Sequence, residues 1–296
     1  MTEPLALLRL GPLPWLETQL VYHTLAREHL EAVVTCSSKE RYVCVGYHQD
    51  LAAEVEIDYC TANGIGLFRR EPGGGAVLLE PAQAFYQVIV DRHREGLPRR
   101  HDLLYEVVLQ PVCDALRSFG VDARFAPICD LLVGERKISG NAGGEVGDCR
   151  VVIGNVLLDF DRSLMAHVLR CPSEEFRRRF AELLRQQIVT LDELCPRPPS
   201  LRMVEERLSQ AFDQRLGPLE PRVWTRELQQ RLEGFAPEYT DAAWLLRPDS
   251  RRGTGRRVKV REGLYLCQDD PAAPERLWEE RPPVGRDDTT RMGDQS

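Results

Sequence analysis

Apolar side chains return at helical spacing in several stretches of the chain, with short β-branched or aromatic runs between them. Leu16 and Leu20 lie along one face of a helix predicted over 15–30, with Leu25 and Leu30 adding apolar contacts. Strands follow at 32–36 and 42–46, separated by the polar turn 37–41. A helical turn at 57–62 ends at Asn63-Gly64. A strand at 66–70 runs straight into three glycines, and 85–90 is a β-branched and aromatic strand. The segment 101–118 reads as a helix capped by Asp102 and ended by Gly120, with Leu103, Val107, Val112 and Leu116 buried and Pro111 as a blemish. Strands at 123–125, 130–133 and 150–158 come next, and Gly134-Glu135 forms a hairpin turn into 136–140. Ser173 caps a helix over 174–187 that carries Phe176, Phe180, Leu183 and Leu184. Ser200 caps another over 201–216, which carries Val204, Leu208 and Phe212 and stops at Gly217. Beyond the linker 218–221 lie a helix near 224–233 and a strand at 257–266.

Strands and helices mix without regular β-α-β alternation. That predicts an α+β fold, a mixed and mostly antiparallel sheet packed by helices. The chain divides into a catalytic body over 1–217, a small C-terminal appendage over 223–268 and a disordered tail over 269–296, where Pro and charged residues leave few apolar anchors.

With 43 % hydrophobic and 29 % charged residues among 296, the chain has an ordinary globular composition, which excludes wholesale disorder. Its longest stretches without Asp, Glu, Lys or Arg, 59–68 and 81–90, fall well short of the roughly 20 apolar residues that span a bilayer. The first ten positions have no basic segment followed by a long apolar one, so no secretory signal is expected. A net charge of −7 excludes a global basic footprint for nucleic acid. Locally, Arg251, Arg252, Arg256, Arg257, Lys259 and Arg261 form a basic cluster suited to docking an acidic protein. The nine cysteines are odd in number and dispersed, with no CxxC pair; they argue against a disulfide framework or structural zinc and point to a reducing cytoplasm.

Two segments could carry chemistry. Arg69-Arg70-Glu71-Pro72-Gly73-Gly74-Gly75-Ala76-Val77 combines fork-shaped cationic donors with backbone N–H groups unshielded by side chains, a combination that suits phosphate. It is neither a Walker loop nor a Rossmann fingerprint. Lys137-Ile138-Ser139-Gly140-Asn141-Ala142 sets an ammonium on a strand before small residues. HExxH and GxSxG are both missing, so neither a zinc protease nor a serine hydrolase of those types is expected.

Together, RRxxGGGAV and the later GxxKISGNA resemble the lipoate–protein ligase A family, within the biotin and lipoate ligase superfamily. Further pieces fit in order over 15–215: VCVGYHQD at 43–50, Cys129-Asp130-Leu131 where the family has Asn-Asp-Leu, GNVLLD at 154–159, and Val189-Thr190-Leu191. The resemblance implies a biotin/lipoate ligase-like fold. It also implies ATP-dependent activation of lipoate or octanoate to an acyl-AMP, with Mg²⁺, and transfer to a lysine of a lipoyl-domain protein or a glycine-cleavage H-like protein. An accessory ligase domain is an additional implied partner. By the same resemblance, Lys137 is the cation between carboxylate and α-phosphate. Arg70 and the loop of Gly73, Gly74, Gly75, Ala76, Val77 and Leu78 hold the adenylate. Asp130 positions ATP or Mg²⁺. Gly140, Asn141 and Ala142 shape the acyl pocket, whose apolar wall takes Val77, Leu79 and Phe85. The sequence departs from the family pattern at Pro72, Leu79-Glu80, Cys129 and Val152-Ile153.

A sister activity of the superfamily transfers octanoyl through a cysteine thioester without ATP. Cys171 follows Lys137 at a separation similar to that of one octanoyltransferase class, and Cys129 is a second thiol candidate; Lys137 would lower the thiol pKa. The ligase reading stands ahead of this alternative, because the triple glycine and Arg69-Arg70 suit an adenylate better than a thioester.

Overall fold

Between Ala84 and Val90 every side chain but Gln87 is apolar, so a strand there needs cover on both faces. The computed structural model, which describes residues 3–248, 255–269 and 273–279, supplies that cover. The first strands are β1 (Ala6–Leu13), β2 (Ala32–Ser38), β3 (Tyr42–Val45), β4 (Gly66–Arg69), β5 (Val77–Leu79) and β6 (Gln83–Asp91). Next come β7 (Ala123–Ala126), β8 (Asp130–Val133), β9 (Arg136–Ser139), β10 (Asn141–Val146) and β11 (Cys149–Leu157). The last are β12 (Glu220–Arg222), β13 (Arg256–Arg261), β14 (Leu264–Gln268) and β15 (Arg276–Glu279). The helices are α1 (Trp15–Arg27), α2 (Leu51–Glu54), α3 (Ile57–Ala62), α4 (His101–Arg117) and α5 (Arg162–Val168), then α6 (Glu174–Gln187), α7 (Leu191–Leu194), α8 (Leu201–Leu216), α9 (Arg226–Thr240) and α10 (Ala242–Leu245).

The main sheet runs β10-β11-β6-β2-β1-β12, antiparallel from β10 to β2 and parallel from β2 to β12. Strand alternation sends Val33, Tyr86 and Val88 toward α4 and α8, and Val34, Phe85 and Ile89 toward α1 and α9. Two small sheets, β4-β3-β5 and β7-β8-β9, carry the candidate chemistry. A third, β13-β14-β15, presses Val258, Val260, Leu264 and Leu266 into the same core as Phe176, Phe180 and Leu184 of α6.

The mixed, mostly antiparallel α+β architecture matches the reading of the sequence. Ser173 and Ser200 accept the N–H groups of Phe176 and Met203 at 3.1 and 3.3 Å, as helix caps do. Asp102 differs: it lies inside the first turn of α4, paired with Arg100 at 2.5 Å, and Pro111 continues that helix. The strand expected at 257–266 is two, turned at Glu262-Gly263. The small C-terminal appendage packs on the body: Leu232 and Tyr239 of α9 join the core beneath α1. Part of the segment expected to be disordered is β15, paired with β14; 280–296 lie outside the described residues. No helix among the described residues is long and apolar enough to cross a membrane.

His23 of α1 is wholly buried beside Tyr22, Phe68 and Tyr239. Its Nδ1 donates to the Gln19 carbonyl at 2.8 Å, while Nε2 has no hydrogen-bond partner among the described residues. Burial, with Arg27 nearby, lowers its pKa to about 3 despite the Gln19 bond. The unfolded chain therefore takes up the proton first. Stability from this site is complete above about pH 6.5 and declines by up to about 1.4 kcal/mol per pH unit below it. Denaturant titrations from pH 7 to 4 should show that slope, reduced by about one proton in His23→Phe; an unchanged slope would refute the assignment.

Candidate active site

A cavity of about 360 Å³ opens between the main sheet, the glycine loop and the β13–β14 hairpin. One edge is built on the bare backbone of Gly154 in β11. A Cβ there would stand 1.9 Å from Asn141 Oδ1 and 2.5 Å from Tyr86 Oη, so only glycine lets β10 and the tyrosine meet over the strand. The Tyr86 hydroxyl donates to Asn141 Oδ1, Asn141 Nδ2 donates to the Cys129 carbonyl at 2.6 Å, and Gly140 N–H donates to Asn155 Oδ1 at 2.9 Å. The polar residues of KISGNA thus lock the crossing of β9, β10 and β11. Gly154→Ala is expected to lower the melting temperature and abolish activity; a variant with unaltered melting and turnover would contradict this packing.

Lys137, on β9, lies across from β8, and its Nζ sits 2.9 Å from Asp130 Oδ1. The carboxylate is 1 % exposed and the lysine side chain 16 %, so the ammonium is aimed at the cavity by a buried partner. The second carboxylate oxygen, Asp130 Oδ2, accepts the Glu262 N–H at 2.7 Å. Both oxygens are therefore engaged by the protein, and among the described residues no three His, Cys, Asp or Glu side chains converge as metal ligands. Asp130 would hold Mg²⁺ only through the lone pairs that these two bonds leave, with substrate phosphates and water completing the shell.

The glycine loop faces the cavity with Gly74 at φ +101°, a conformation costly for any side chain. Its arginines are placed otherwise than a phosphate site would ask. Arg70 Nη2 donates to Gly73 O at 2.8 Å and Gly75 O at 2.9 Å, and Nη1 to Cys44 O at 3.2 Å. Arg69 is fully buried and donates to the carbonyls of Tyr47 and Gln49 on one side and Trp244, Leu245 and Arg247 on the other. The pair holds the loop's shape and ties it to α10.

Arg70, the loop 73–78, Asp130, Lys137 and 140–142 all line the cavity, as do Val77, Leu79 and Phe85 of the expected apolar wall. The two candidate thiols part company. Cys129 lines the cavity, its Sγ 3.3 Å from the Asn141 carbonyl oxygen and 3.5 Å from Glu262 Oε2. Burial pushes its pKa up to about 12; Asp130 and Glu262 add to the rise, and Lys259 and Lys137 oppose it. Cys171 is not brought to the cavity. It packs against the α5–α6 core, 4.0 Å from the Ala166 carbonyl oxygen, with its pKa pushed to about 11 by burial.

Among the lining residues that the sequence reading did not place at the site are Lys259 and Glu262. Lys259 lays its stem along Gly75 and pairs with Glu262 Oε2; burial opposes its charge, but Glu262, Cys129 and Asp130 raise its pKa above the ordinary lysine range. No motif marks either residue; only the basic composition of 251–261 pointed at the segment. Several cations of that cluster have partners within the chain. Arg256 pairs with Glu54 at 2.7 Å, Arg261 donates to Gln187 at 2.9 Å, and the Arg257 guanidinium stacks 3.7 Å from the Tyr265 ring. Arg251 and Arg252 lie outside the described residues.

The lipoyl protein ligase A/B catalytic domain model matches residues 15–213. The chain belongs to that family. Among this lipoyl ligase family member's relatives, octanoyltransferase LipM of Kyrpidia tusciae is 29 % identical over 223 residues, covering 68 % of this chain and 81 % of its own. Lipoate-protein ligase A subunit 1 of Thermoplasma acidophilum is 27 % identical over 217 residues, covering 69 % and 80 %. Among solved structures, the bipartite lipoate protein ligase of T. acidophilum superposes with a TM-score of 0.73 at 24 % identity, covering 83 % of this chain and 97 % of that one. ATP-bound lipoate-protein ligase A gives 0.69 at 21 %, covering 82 % and 99 %. These structural likenesses establish the lipoyl ligase fold. Lys259 and Glu262 lie beyond the family-matched residues.

Proposed function

We propose that this chain is an acyltransferase that carries an octanoyl or lipoyl group from a carrier-protein thioester, through Cys129, to a lysine of a lipoyl-domain protein. The observation that carries this reading is the Cys129 thiol on the wall of the same cavity as the Asp130-held Lys137. The names of the octanoyltransferase relatives support it. So does the engagement of Arg70 by loop carbonyls. The apolar wall takes the acyl chain, with Val77, Leu79 and Phe85 on one side and Met165 and Ile188 on the other. The thiolate attacks the donor carbonyl, and the Lys137 ammonium stabilises negative charge on sulfur and on the tetrahedral oxygen. Lys137→Ala should lower transfer about 100-fold or more, and retention of wild-type turnover would remove that role.

A second reading, ATP-dependent ligation through an acyl-adenylate, is favoured by the glycine loop on the cavity wall and by the Thermoplasma ligase subunit among the relatives. The mass of a lipoyl-domain acceptor separates the two. Incubation with octanoyl-acyl carrier protein should add one octanoyl group without ATP. A gain seen only with free lipoate and ATP–Mg²⁺ would replace the proposal by the ligase.

A further inference from the structure

We infer that Glu262 is a catalytic residue that accepts the proton of the Cys129 thiol and delivers it to the departing thiolate. The inference rests on the acyltransferase reading and adds to it a residue from outside the family-matched region.

The geometry is specific. Cys129 Sγ lies 3.5 Å from Glu262 Oε2. The carboxylate is held in place twice: Lys259 bonds the same oxygen, and the Glu262 N–H is fixed on Asp130 Oδ2 at 2.7 Å. Its side chain is only 13 % exposed, so water does not set its position. Other proton acceptors are poorly placed. No histidine lines the cavity among the described residues, and the Cys129 thiol bonds Glu262 rather than Asp130. The groups facing the thiol are Asp130 from β8, Lys137 from β9, Tyr86 from β6, Tyr105 from α4, and Lys259 and Glu262 from the hairpin. Of these, Glu262 is the carboxylate that reaches sulfur. Lys259 holds that carboxylate oxygen beside the sulfur, while burial raises the thiol's pKa and leaves its proton for a base to remove.

The proton and bond changes close. The thiol proton passes to Glu262 as sulfur bonds to the donor carbonyl carbon. The carrier's C–S bond then breaks, and its thiolate leaves with the proton from Glu262. In the second half, the acceptor amine forms a C–N bond with the acyl carbon, the Cys129 C–S bond breaks, and the amine's proton returns to Cys129 through Glu262. No electrons are exchanged with another reactant.

Single-turnover acylation of the full chain by octanoyl-acyl carrier protein tests this, with no acceptor present. Intact mass and peptide mapping report acyl-Cys129 between pH 6 and 9. Glu262→Gln should slow acylation about 100-fold at pH 7 and recover by about tenfold per pH unit above it, as hydroxide replaces the missing base. Glu262→Asp should restore part of the rate, and the wild type should vary little with pH. Matching melting temperatures show that the variants fold. A Gln variant within about twofold of wild type at every pH, or one slowed equally at every pH, would overturn the role of Glu262 alone. Failure of the wild type to acylate Cys129 would instead remove the acyltransferase reading on which the role rests.

Discussion

In Cys129→Ser, transfer of octanoyl from acyl carrier protein to a lipoyl domain falls by a factor on the order of 10⁴ or more. Serine keeps the shape of the side chain and its bond to the Asn141 carbonyl oxygen, but its hydroxyl is a far weaker nucleophile at neutral pH than a thiol. A control sits in the same protein. Cys171→Ser should leave turnover within about twofold, because that side chain packs against α5 and α6 and does not line the cavity. Intact-mass kinetics on the acceptor measure both. If Cys129→Ser transferred at the wild-type rate, the thioester would have to be abandoned, and ATP-dependent ligation would be the reading to pursue.

Arg69→Met is expected to cost about 3–5 kcal/mol of folding stability, read from urea or guanidinium titration. The methionine fills part of the space but donates nothing. Carbonyls of Tyr47, Gln49, Leu245 and Arg247 then lose the charged donor of a buried side chain from part-buried bonds, and each group that water does not reach carries a penalty of about 1–3 kcal/mol before relaxation. Because these carbonyls belong to the loop after β3 and to the chain around α10, the effect should be local as well as global. Limited proteolysis should cut near 241–248 in the variant before the rest of the body opens. A loss below about 1 kcal/mol, with unaltered cleavage, would show that the guanidinium is not what fastens these segments.

Local patterning made much of this fold readable. Ser173 and Ser200 set helix starts, Gly134-Glu135 sets a hairpin, and Phe176, Phe180 and Leu184 mark one buried face. What failed to show was decided by distant partners. β10, with Gly143-Gly144 at its centre, is not among the elements that the pattern predicts; it is a strand because β11 supplies hydrogen-bond partners along its length. Arg69-Arg70 reads as anion-binding because formal charge is visible in sequence, whereas the carbonyls that surround those side chains come from 44–49, 73–75 and 244–247. The site followed the same division. Lys137, Asp130 and the glycine loop were legible as motifs, and Cys129 and Cys171 were distinguishable only once α5 and α6 had drawn the second away. Lys259 and Glu262 carry no local signature, since what defines them is a turn folded onto Asp130 from far along the chain.

That turn sets a timetable for biosynthesis. On a ribosome the glycine loop, Cys129 and Lys137 emerge long before residue 262, and until then Asp130 lacks the N–H that it accepts in the finished protein. Until then the pocket around Cys129 lacks the wall that the β13–β14 turn supplies. Under the proposed acyl transfer, a carrier that met the growing chain early would find the thiol without its carboxylate neighbour.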